Sequence, residues 1–174
     1  MKPSLLIIPF LLIANILIAS NYEFYSDETN PNGISTLEEV VSQPVILKEE
    51  AQIVTVVFSG EENNYTFNVG IISPDKGCNQ YANWWEIVSK NETLIKRRIL
   101  GHSHINEQPF VRALRGIKIK KSEIVIIRAH MNTSGYGTIA FKGSVETGFF
   151  RVILEENFAS GLDQIAPLPA SCAF

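Results

Sequence analysis

The sequence predicts an all-β fold, an antiparallel β-sandwich or partly open barrel with at most one short N-terminal helix. Three observations predict it. Short runs of β-branched and aromatic residues recur through residues 45–158, several of them alternate polar and apolar with period two, and Gly, Asn and Asp clusters separate them at hairpin spacing.

Residues 1–20 read as a cleavable secretory signal. Lys2 gives the positive start, Leu5 to Ala19 form an apolar run interrupted only by Pro9 and Asn15, and Ile18-Ala19-Ser20 offers small residues for cleavage. The run falls short of the roughly 20 apolar residues that a spanning helix needs. No stable membrane span is expected once the leader is removed, so the mature chain should act outside the cytoplasm, as a periplasmic or secreted protein. Residues 21–44 form a polar lead-in, in which Ser35 and Glu38 make a capping box for one short helix ahead of Pro44.

The β-rich domain spans residues 45–158. Residues 52–58 are β-branched, and Tyr65, Phe67, Val69 and Ile71 share one face of the next strand, with residues 60–64 as the loop of a hairpin. A second hairpin joins residues 81–89 to 94–104 through the turn Lys90-Asn91-Glu92-Thr93. Pairing Ser89 with Leu94 sets Glu86 opposite Arg97, Trp85 opposite Arg98 and Trp84 opposite Ile99. Residues 117–121, 123–130, 138–145 and 149–155 continue as short strands. The Arg112, Arg115, Lys118, Lys120 and Lys121 cluster reads as a solvated edge strand.

Export shapes the reading of the two cysteines, because thiols outside the cytoplasm tend to pair. A Cys78–Cys172 bridge would tether the tail, residues 159–174, and closing a loop of about 95 residues would stabilise the fold by roughly 4 kcal/mol. The chain carries 15 Lys and Arg against 18 Asp and Glu. That balance argues against nucleic acid as a partner and leaves an extracytoplasmic ligand, a glycan, peptide or protein. No phosphate-binding glycine loop, dinucleotide fingerprint or cysteine-based zinc motif is present in the sequence.

Adjacent tryptophans on a strand face opposite ways. The face with Ala82, Trp84, Val88, Ile95, Ile99 and Ile105 is the more apolar and is assigned to the core. The other then displays Tyr81, Trp85 and Arg98 with His102 and His104, a mixed aromatic and cationic patch suited to ligand binding. Its alternative use is a metal centre. His102 and His104 would project from one strand face, His130 could come from a neighbour, and Glu107 is close enough in sequence to serve as a fourth ligand or base, an arrangement suited to Zn²⁺ or Cu²⁺. The two readings are a non-catalytic binding module and a metal carrier or metal-dependent hydrolase. Three Asn-x-Ser/Thr sequons, at Asn64, Asn91 and Asn132, fall in expected turns.

Cys78-Asn79-Gln80-Tyr81-Ala82-Asn83-Trp84-Trp85-Glu86, then residues 102–110 (His-Ser-His-Ile-Asn-Glu-Gln-Pro-Phe), then Arg128-Ala129-His130-Met131-Asn132 resemble segments of an uncharacterised group of exported bacterial proteins. The resemblance implies export and lends no catalytic residue.

Overall fold

The computed structural model describes residues 49–173. The expected leader, lead-in and short helix lie outside the described residues. Nine strands follow one another: β1 (Gln52–Glu61), β2 (Asn64–Ile72), β3 (Ala82–Ser89), β4 (Leu94–Ile99), β5 (Phe110–Ile117), β6 (Val125–Met131), β7 (Gly135–Tyr136), β8 (Ile139–Ser144) and β9 (Gly148–Ile153). They form one three-stranded sheet, β1-β2-β5, and a larger one, β4-β3-β6-β8-β9, to which β7 adds through β6. Every pairing is antiparallel. The all-β sandwich expected from the sequence is therefore the fold of the described residues.

The core lies between the sheets. Tyr65, Phe67, Val69 and Ile71 of β2 face it together, as their alternation requires, and meet Trp85 and Ile87 of β3 and Ile127 and Ala129 of β6. Phe149 packs edge-on to Phe67 at 5.5 Å and to Phe58 at 5.7 Å, which seals one side. Gly137 is required by packing: a Cβ there would stand 1.9 Å from the Ala51 carbonyl oxygen, where the chain enters β1.

Three sequence expectations need correction beyond the β3–β4 turn, where a bulge between Ile87 and Val88 pairs Val88, and not Ser89, with Leu94. Past the bulge the β3–β4 register is the expected one, with Glu86 opposite Arg97, Trp85 opposite Arg98 and Trp84 opposite Ile99. The face assignment is reversed: Trp85 is fully buried in the inter-sheet core, and Trp84 lies on the outer face. A bulge between Ala82 and Trp84 shifts the alternation, so Ala82 and Trp85 both reach the core. Second, β4 ends at Ile99, so His102 and His104 sit on a loop instead of a strand. Third, Arg112 and Arg115 lie on edge strand β5, while Lys118, Lys120 and Lys121 lie in the loop after it.

Antiparallel order gives the sandwich two poles. The turn pole gathers the tips at residues 62–63, 90–93, 118–124 and 145–147. It is tied by Asn63 N–H to the Ile119 carbonyl at 3.1 Å, Lys121 N–H to Glu62 Oε2 at 3.0 Å and Glu146 N–H to the Lys121 carbonyl at 3.0 Å. The loop pole gathers residues 73–81, 100–109 and 132–138. After β9 the chain turns back as a strap across the outer face of the larger sheet, with a 3-10 turn at Ser160–Gln164, and ends at a disulfide from Cys172 to Cys78.

Candidate functional site

At the loop pole two segments without regular structure are organised by one carboxylate. Asp75 is buried, and its Oδ1 accepts from the Ser73 hydroxyl at 2.7 Å and from Ala82 N–H at 2.9 Å, while Oδ2 accepts from His104 N–H at 2.7 Å. Ser103 Oγ adds a longer contact to Oδ2 at 3.5 Å and accepts from Gly77 N–H at 3.1 Å. Gln108 closes the ring, accepting from Ser73 N–H at 3.0 Å and donating to the His104 carbonyl at 3.0 Å. The backbone of the 100–109 loop, which a sheet ladder does not satisfy, is thus held by side chains. Ala173 N–H to the Gly101 carbonyl, at 2.7 Å, fastens the same loop to the disulfide-bonded tail.

The His104 ring is treated differently from its backbone. It is 3% exposed and stacks on Phe110, with centroids 3.8 Å apart and planes 9° from parallel, yet neither Nδ1 nor Nε2 has a hydrogen-bond partner among the described residues. Its Nδ1 stands 3.8 Å from Asp75 Oδ2, beyond a hydrogen bond. Burial, then the nearby Arg112 guanidinium and His102, push its pKa below the ordinary imidazole value, against a smaller upward pull from Asp75 and Glu107. His102 covers it from outside, exposed, with ring centroids 4.5 Å apart. A depression of about 310 Å³ opens beside the pair, lined by Gly77, Ser103, His104, Ile105, Asn106 and Glu107. Glu107 is exposed and held by both terminal nitrogens of Arg112 at 3.1 and 2.8 Å, which keeps its carboxyl below the usual range.

His130 lies elsewhere, on the outer face of β6. Its Nδ1 donates to Asn83 Oδ1 at 2.7 Å, and its ring stacks on Trp84 at 3.6 Å and 9°. Burial and the Arg97 guanidinium lower its pKa to about 3. Beside it Glu86, fully buried, takes Arg97 on Oε2 at 2.7 Å and Arg128 on Oε1 at 2.9 Å. The two guanidiniums then donate to the carbonyls of Phe158, Ala159, Leu162, Ile165 and Pro167, so the strap's own backbone completes the cluster. Arg97 also lies over Trp84, at 4.5 Å, and Arg128 over Tyr136, at 3.4 Å.

The structure therefore brings His102 and His104 together and leaves His130 with Trp84 and Asn83. Among the described residues no group of three His, Cys, Asp or Glu side chains converges as a metal cage, so the three-histidine centre is not assembled. The ligand patch of Tyr81, Trp85 and Arg98 is not a surface either. Tyr81 is buried, with its N–H held by Asn132 at 2.9 Å, Trp85 belongs to the core, and Arg98 alone is exposed, on edge strand β4. The sequence reading missed Asp75 and Gln108. Pro74-Asp75-Lys76-Gly77 carries a turn signal, but nothing local announces that Asp75 reaches His104, 29 residues away.

Comparison with known proteins adds a partial relative. No family model matches the chain. A protein of Halomicrobium mukohataei named "Putative lipoprotein" is 30% identical over 105 residues, 60% of this chain, and the chain spans about half of its length, 52%. That source is archaeal, so likeness to this chain is not confined to bacteria. Among solved structures, a superoxide reductase in the oxidized state superposes with a TM-score of 0.35 at 14% identity over 62% of this chain and 91% of its own. The superoxide reductase (neelaredoxin) from Ignicoccus hospitalis gives 0.34 at 12% identity over 61% and 80%. The Cys78–Cys172 bridge is of a kind that persists in oxidising, extracytoplasmic surroundings. Among the described residues no helix is long and apolar enough to cross a membrane.

Proposed function

We propose that this is an exported, non-catalytic binding module whose working surface is the loop pole, and that His104 with His102 takes a divalent transition-metal ion there, Cu²⁺ or Zn²⁺. One observation carries the reading: the 100–109 loop is held by Asp75 through its backbone, while both nitrogens of the buried His104 imidazole at its centre are without a partner among the described residues. An unmet buried polar atom costs on the order of 1–3 kcal/mol. Two in one small ring are hard to account for by packing alone. The indole nitrogens of Trp84 and Trp85 are also unmet, but those are large rings whose burial offsets the loss. Among the described residues His102 makes no hydrogen bond, and it is exposed, so a turn of its ring would open the His104 nitrogens to the depression.

Binding is favoured over catalysis because the remaining polar groups are committed. Ser103 is used by Gly77 and Asp75, and Glu107 by Arg112. With two protein imidazoles, solvent or a second molecule fills the other coordination positions, and Cu²⁺ should bind more tightly than Zn²⁺. The test is metal analysis of untagged protein followed by melting with each ion. Cu²⁺ should raise the melting temperature, His102→Ala and His104→Ala should each abolish the rise, and His130→Ala should keep it. A rise that survives His104→Ala would refute the site.

A further inference from the structure

We infer that the turn pole is a modification surface: Asn64 and Asn91 carry N-linked oligosaccharides, and Asn132, the third sequon, does not. This rests on the export reading above and is independent of the metal. Sequence alone cannot separate the three sites, since Asn64-Tyr65-Thr66, Asn91-Glu92-Thr93 and Asn132-Thr133-Ser134 all fit the acceptor pattern. Their surroundings separate them.

Asn64 opens β2 beside the hairpin tip, and Asn91 stands at the tip between β3 and β4. Both are exposed, and neither carboxamide makes a hydrogen bond among the described residues. The tips are hydrogen-bonded without those amides. Asn63 and Glu92 take the left-handed turn positions at φ 65° and 61°, and the Ser89 hydroxyl accepts from Asn91 N–H and Thr93 N–H at 3.2 Å each. A hollow of about 370 Å³, lined by Ser89, Lys90, Lys120, Ser122, Glu123 and Ile124, lies beside Asn91, with room for a first sugar ring. Asn132 is also exposed as a residue, but its amide is a structural bridge. Oδ1 accepts from Tyr81 N–H at 2.9 Å and Nδ2 donates to the Cys78 carbonyl at 3.1 Å, which ties β6 to the disulfide-bearing loop. Presenting that nitrogen to a transferase would cost both bonds.

The step forms a bond between Asn Nδ2 and the C1 carbon of the first sugar. It breaks the C1–oxygen bond to a polyprenyl (di)phosphate donor, which leaves with the phosphate, and one amide proton is released. The sugars would stand at the pole opposite His102 and His104 and leave the binding surface clear.

The experiment is glycopeptide mass spectrometry on the protein isolated from its own source cells after fractionation. Peptides containing Asn64 and Asn91 should carry hexose-containing additions, and the Asn132 peptide should be bare. Asn64→Gln and Asn91→Gln should each remove one mobility step on a gel without changing the melting temperature, whereas Asn132→Gln should lower the melting temperature and leave mobility unchanged. A bare Asn91, or sugar on Asn132, in protein recovered outside the cytoplasm overturns the proposal. Recovery in the cytoplasm alone overturns the export reading, and this one with it.

Discussion

Two imidazoles leave water in this protein, in opposite ways. His130, beneath the strap, is held on Nδ1 by Asn83 and stacked on Trp84, within a layer where Glu86 neutralises two arginines and the arginines satisfy five strap carbonyls. His104, at the loop pole, is also buried and is stacked on Phe110, but neither nitrogen has a partner among the described residues. The first arrangement is close to what a structural polar layer requires, with its carboxylate, guanidiniums and imidazole Nδ1 paired and the Trp84 indole nitrogen left unmet among the described residues. The second departs from that requirement at one ring only, in a loop whose backbone is otherwise satisfied. The difference separates a histidine that holds the fold from one that the fold holds ready.

The strap-covered layer should be the more costly to disturb. Glu86→Gln leaves two buried guanidiniums without their countercharge and should destabilise the domain by about 3–5 kcal/mol, read by urea unfolding. Removing the disulfide with Cys78→Ser and Cys172→Ser should cost about 2–5 kcal/mol, since the bridge spans 94 residues. Denaturant midpoints unchanged in both variants would mean that the strap is not a structural element.

Acid should reveal the layer's histidine. His130 titrates near 3 when folded and near 6.5 when unfolded, so above pH 6.5 it costs nothing. As pH falls from 6.5 towards 3 the unfolded chain binds the proton first, and stability is lost at up to about 1.4 kcal/mol per pH unit from this group. His130→Gln should flatten that slope; an unaltered slope would place the acid lability elsewhere. At the loop pole a substitution should stabilise instead of destabilise. His104→Phe replaces an unpaired polar ring by an apolar one that still stacks on Phe110 and should stabilise the protein by about 1–2 kcal/mol at neutral pH.

The sandwich itself was legible because alternation and turn chemistry are local signals. Tyr65, Phe67, Val69 and Ile71 face the core as read, and the three expected β3–β4 pairs from Trp84 to Glu86 form, although a bulge replaces the expected Ser89–Leu94 pair at the turn. The faces of β3 were not legible. Both are buried, and the one that carries Trp84, Val88 and Ile99, which reads as the core face, also holds Glu86 and Arg97 and is covered by a tail some 65 to 70 residues beyond Arg97. Counting apolar residues on a strand cannot anticipate such a cover, so Trp85 was assigned to a surface. His102 and His104 do lie side by side, but on a loop and without the strand geometry that the sequence suggests. Asp75, which holds the loop, gave only a turn signal.

The most direct measurement is a calorimetric titration of Cu²⁺ into the natural chain and into His104→Phe, with the melting temperature of each recorded beforehand. One equivalent bound by the natural chain, none by a variant that melts higher, is the predicted result. Equal binding by both, or a variant that melts lower, would mean that His104 is only part of the packing.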